Sequence, residues 1–112
     1  KNSLGEIQIS KEVIATIAGN AAMECYGLVG MASRKISDGI TELLGRENIA
    51  RGVEVKISED MLTVDLYIIV QYGTKIHEVA HNVIEKVSFV LNNTLGFNPD
   101  KVNVIVHGVR TK

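Results

Sequence analysis

The sequence predicts an α+β domain, a two-layer sandwich with two long helices laid over one face of a mixed sheet of three or four strands. Three observations lead there. Residues 75–95 carry one unbroken apolar stripe at helical spacing: Ile76, Val79, Ala80, Val83, Ile84, Val87, Val90, Leu91 and Leu95. Residues 53–70 instead alternate, with Val53, Val55 and Ile57, then Leu62, Val64, Leu66, Ile68 and Val70, separated at Glu59 and Asp60 as in a β-hairpin. Finally, 112 residues with 46% apolar and 22% charged side chains suit one hydrophobic core, so residues 1–112 are read as a single domain.

The elements follow in order. Ile7 and Ile9 alternate with polar neighbours over Gly5–Ser10, a short strand pattern, and Ser10 stands where a helix N-cap belongs. The helix that follows places Val13, Ile14, Ile17, Ala18, Ala21, Ala22 and Cys25 on one side, with Gly27 as its stop. So many alanines imply close packing against a neighbour. Gly27–Ala32 reads as a glycine-bounded connector, Ile36–Leu44 as a short helix ended by Gly45, and Arg46–Gly52 as a charged loop. After the hairpin, Thr74 is a candidate N-cap for the long helix and Gly96 its stop, with Pro99 beyond. Val102–Val109 forms the last strand.

Composition removes several function classes. Twelve Lys and Arg against 13 Asp and Glu leave no global field to hold nucleic acid or an anionic membrane. A single cysteine, Cys25, fits a reducing cytoplasm. No run approaches the ~20 apolar residues a membrane span needs, and no basic segment leads into an apolar run, so neither a span nor a signal peptide is expected in the sequence read. The first residue is Lys1 rather than methionine, and residues upstream of it are expected.

Three short patterns invite chemistry. His77, Glu78 and His81 spell H-E-x-x-H on the long helix, the zinc-protease arrangement, which needs both imidazoles turned into a cleft with a third ligand. At 100° per residue the histidines fall on the flank of the apolar stripe and Glu78 nearly opposite it, so they read as boundary residues. Gly27-Leu28-Val29-Gly30 has the G-x-x-G form that KH domains place between two helices to clamp a nucleic-acid backbone. Leu28 and Val29 offer it no donor, and the nearby Arg34, Lys35, Arg46 and Arg51 are diluted by Asp38, Glu42 and Glu47. Cys25 has no partner histidine in sequence and reads as a small buried hydrophobe. No catalytic, cofactor-binding or metal-binding residue is assigned.

Strand parity is more informative. With Leu62 through Val70 turned to the helices, Thr63, Asp65, Tyr67, Ile69 and Gln71 face the other way. The last strand, read with the same parity, sends Asn103, Ile105, His107 and Val109 outward. Tyr67, Ile69, Ile105 and Val109 are therefore the expected partner-binding residues on an open sheet face. On this reading, lysine at positions 69 and 105 leaves the fold intact.

The segments G-E-I-Q-I-S, V-I-A-T-I-A, C-Y-G-L-V-G-M, R-G-V-E-V, D-L-Y-I-I-V-Q-Y-G and V-N-V-I-V-H-G-V, taken together and in order from Gly5 to Val109, resemble the alkaline-shock, Gls-type envelope stress family. The resemblance implies a cytoplasmic, noncatalytic protein of cell-envelope homeostasis and stress, without cofactor. It also implies recruitment to the inner face of the membrane by a membrane-anchored protein partner, and Gly27, Gly30 and Gly52 then look structural. A scaffold or adaptor that self-associates or binds such a partner is the expected function. A KH-like nucleic-acid-binding domain is the alternative, and a small zinc-dependent hydrolase the third reading.

Overall fold

The computed structural model describes residues 9–37 and 40–111. Of the predicted strand Gly5–Ser10, all but Ile9 and Ser10 lies outside the described residues. The rest forms α1 (Lys11–Met23), β1 (Leu28–Ser37), β2 (Ile40–Leu43), a 3₁₀ segment (Arg46–Gly52), β3 (Val53–Ser58), β4 (Met61–Gln71), α2 (Ile76–Leu95) and β5 (Lys101–Arg110). The α+β class holds, with five strands instead of three or four.

The helices begin and end by local chemistry. Ser10 caps α1, its Oγ accepting from the Val13 N–H at 3.1 Å. Gly96 closes α2 in the left-handed conformation (φ 88°), donating its N–H to Asn92 O. Thr74, expected to cap α2, instead donates its Oγ1–H to Gln71 O at 2.6 Å, and Lys75 stands at the cap without a side-chain bond. On α1 the buried face is Ile14, Ala15, Ala18, Gly19, Ala21 and Ala22, rotated from the predicted stripe so that Val13 is exposed. Contact with the 3₁₀ segment sets this rotation: a Cβ at Gly19 would collide with the Ile49 side chain.

β4 is the centre of the sheet. β5 runs parallel to it along one edge, joined through α2. Its other edge is shared: β3 pairs antiparallel with the first half, from Ser58↔Met61 to Val53↔Leu66, and β1 with the second, from Met31↔Ile68 to Leu28↔Val70. Glu59 and Asp60, at φ 51° and 66°, make the tight β3–β4 turn. β1 continues into a hairpin with β2. Here the expected connector and short helix are corrected to strands. A bulge at Val29 and the small residues Gly30 and Ala32 blur the period-two pattern of β1, while Ile36, Ile40, Leu43 and Leu44 mimic helical spacing. Pairing with β4 overrides that local signal, and the Leu44 N–H donates to Met31 O as the chain turns back.

One core lies between the helices and the inner sheet face. Val79, Val83, Val87 and Leu91 of α2 meet Leu62, Val64, Leu66, Ile68 and Val70 of β4 there, with the alanines of α1 beside them. Val87 has no solvent exposure. Its truncation to alanine is expected to cost about 1–3 kcal/mol through lost burial and a residual cavity, read as a lower urea midpoint.

Candidate functional site

The sheet side away from the helices is where the expected contact residues were placed. Tyr67 and Ile105 are register partners there, both half-buried. Ile69 points to the same side, opposite Gly30 of β1 and Gly108 of β5, but has no exposure at all. Ile69 and Ala32 are both fully buried yet stand apart from the main core cluster.

The cover comes from the chain's own hairpin. β1 and β3 approach the same edge of β4, so β1 must leave the sheet plane after Met31 to let β3 in. Beyond that point the His107 Nδ1–H donates to Ser33 O at 3.2 Å, a contact between strands that began on opposite edges of β4. β1 therefore leans across the outer face. Leu43 of β2 sits over Gly30, where an added Cβ would come within 2.7 Å of its Cδ1. The expectation that Ile69 is an exposed contact residue is corrected accordingly, and with it the tolerance of lysine at position 69.

Val109 is corrected as well. β5 carries a bulge, since Ile68 pairs with Val106 but Ile69 with Gly108, and the extra residue is His107. Downstream of it the parity flips. Val109 pairs with Val70, a residue of the core cluster, and so leaves the face that holds Tyr67 and Ile105.

What remains outward is a polar network around an apolar pair. Asp65, only 6% exposed, accepts from Asn103 Nδ2 at 2.9 Å and lies 3.1 Å from Lys56 Nζ, so both carboxylate oxygens are partnered. That hydrogen bond raises the Lys56 ammonium above its ordinary value. Tyr67 Oη donates to Glu54 Oε1 in a long 3.5 Å bond, and its ring lies 5.0 Å from that of His107, tilted at 53°. Burial pushes the Tyr67 phenol up, keeping it a donor.

The patterns with possible chemistry are scattered. His77, Glu78 and His81 are exposed on α2, and His81 Nε2 is taken up by Glu85 Oε2 at 3.1 Å. The third histidine, His107, lies across the sheet beside Tyr67. Among the described residues no group of three or more His, Cys, Asp and Glu converges. Gly27 takes φ 88° just past α1, and Leu28 and Gly30 run directly into β1, so the G-x-x-G lies between a helix and a strand and lacks the second helix of a KH clamp. Cys25 is half-buried with Sγ 3.8 Å from Asn82 O, and burial raises its thiol above the ordinary value. Its alkylation at pH 8 is expected to run slower in the folded chain than in urea, because the thiolate is the nucleophile.

The fold and this side together define a small α+β domain whose outer sheet face is partly covered by its own β1–β2 hairpin. The family model of the alkaline-shock proteins, described as having a cell envelope-related function, matches residues 1–111, and the chain belongs to this family. It is similar to YloU of Bacillus subtilis, 54% identical over 111 residues, covering 98% of this chain and 92% of that protein. It also resembles Spy1614 of Streptococcus pyogenes at 45% identity, covering 95% and 88%, and YqhY of Bacillus subtilis at 34%, covering 96% and 78%. No solved structure matches significantly.

Proposed function

We propose that the chain is a noncatalytic adaptor of envelope homeostasis and stress that works in the cytoplasm and either self-associates or binds a membrane-anchored protein partner, which holds it at the inner face of the membrane. The observation that carries this is the envelope-related family match over residues 1–111. No helix among the described residues is long and apolar enough to cross a membrane, so attachment through a partner accounts for an envelope role. The outer face supplies the surface: Tyr67 and Ile105 stand side by side, framed by Asp65, Asn103 and Lys56. An aromatic and a branched anchor within a polar rim is the anatomy of protein contacts.

Ile105→Lys tests it, since Ile105 is half-buried at the outer face and its substitution spares the core. The wild-type chain is expected in the membrane fraction of its host and as assemblies in sedimentation, and the variant is expected to be released while keeping its thermal midpoint. Unchanged fractionation and assembly in the variant would remove the outer face from the mechanism.

A further inference from the structure

Where β1 departs from β4, it leaves a recess of about 460 Å³ lined by Ser33, Arg34, Lys35, Arg51, Glu54 and Tyr67. A second recess of about 450 Å³ shares Arg34, Arg51 and Glu54 and adds Lys11 and Glu12, so the two adjoin at the β3 edge, and the pair is termed the groove. Arg34 and Lys35 come from β1, whereas Arg51 comes from the 3₁₀ segment 17 residues on from Arg34. Only the fold brings them together. All three are exposed, and none forms an ion pair with a described residue. Glu54, the carboxylate between them, is engaged by Tyr67 Oη.

We propose that this groove binds an acidic segment of a protein partner, with Arg34 and Arg51 receiving its carboxylates and Lys35 adding a third charge. The proposal rests on the adaptor reading and names the chemistry of its partner. Guanidinium groups offer forked donors that match carboxylates two by two. Complementary charge fixes partner choice and speeds encounter. A peptide suits the groove better than a bilayer does. Glu12 and Glu54 in the same walls repel a continuous anionic surface, but a peptide can space its acidic side chains to avoid them, and two adjoining recesses accommodate several extended residues.

The test is fluorescence anisotropy with a labelled glutamate-rich decapeptide, run beside inorganic phosphate and phosphatidylglycerol vesicles. Peptide binding is expected, weakening about tenfold between roughly 50 and 500 mM salt. Arg34→Glu and Arg51→Glu are each expected to weaken it about tenfold again, with thermal midpoints unchanged, whereas Lys75→Glu, outside the groove, is expected to leave it alone. Absence of peptide binding overturns the proposal, as does equal weakening by Lys75→Glu, or binding only of vesicles or of phosphate. Membrane fractionation separates this from the adaptor reading. If Ile105→Lys releases the chain and Arg34→Glu does not, the groove fails and the adaptor stands. If the wild-type chain itself is absent from the membrane fraction, the adaptor reading fails and the groove is judged by the peptide alone.

Discussion

Ile69→Lys is expected to destabilise the domain by on the order of 4 kcal/mol, a large share of a small domain's stability. Simple strand parity assigns Ile69 to an open face, where lysine costs little. In the folded chain it has no exposure, flanked by Gly30 and Gly108 beneath the leaning β1 hairpin. An ammonium there has no water and no designed partner. It must either lift β1 from the outer face or lose its proton, and both raise the free energy of the fold. Ile105→Lys is the matched comparison, since Ile105 shares the face but remains half-buried. Its expected cost is about 1 kcal/mol or less. Urea denaturation of both variants decides the matter: equal midpoints would show that β1 does not cover Ile69.

Gly52→Ala is the second large effect, expected at about 2–3 kcal/mol, or a fall in thermal midpoint of roughly 10 °C or more. A methyl group there would stand 2.8 Å from Ala32 O, 3.0 Å from Met31 Cβ and 3.2 Å from Leu44 Cδ1. A flexible side chain turns aside at small cost. A backbone carbonyl does not, so the added carbon pushes β1 away at the point where it departs from β4. The same displacement widens the groove between β1 and β3, and binding of the acidic peptide is expected to weaken along with stability. A Gly52→Ala chain with the wild-type midpoint would show that the 3₁₀ segment and β1 are not in tight contact.

Two elements were legible because their signals are local and repeated. α2 declares itself through the repeat of Val79, Val83, Val87 and Leu91 at every fourth residue, and the β3–β4 hairpin through six register pairs of alternating character closed by Glu59 and Asp60. Caps at Ser10 and Gly96 follow from the chemistry of single residues. The family, too, was legible, because its segments run in order along nearly the whole chain.

The outer sheet face was not legible in the same way. One extra residue at His107 reverses the facing of Val109; Gly108 beside it is a bulge signal, but the count of the extra residue is set only by pairing with β4. The burial of Ile69 depends on competition between β1 and β3 for one edge of β4, a relation between segments separated by residues 38–52. The assembly of Arg34, Lys35 and Arg51 around one groove depends on the same departure of β1. Sequence by itself determined the α+β class, the long helix, the hairpin and the family, because period and capping act within a few residues. Only the tertiary structure decided which outer residues meet solvent and where the groove cations converge, because edge sharing and bulges reset parity and proximity at long range.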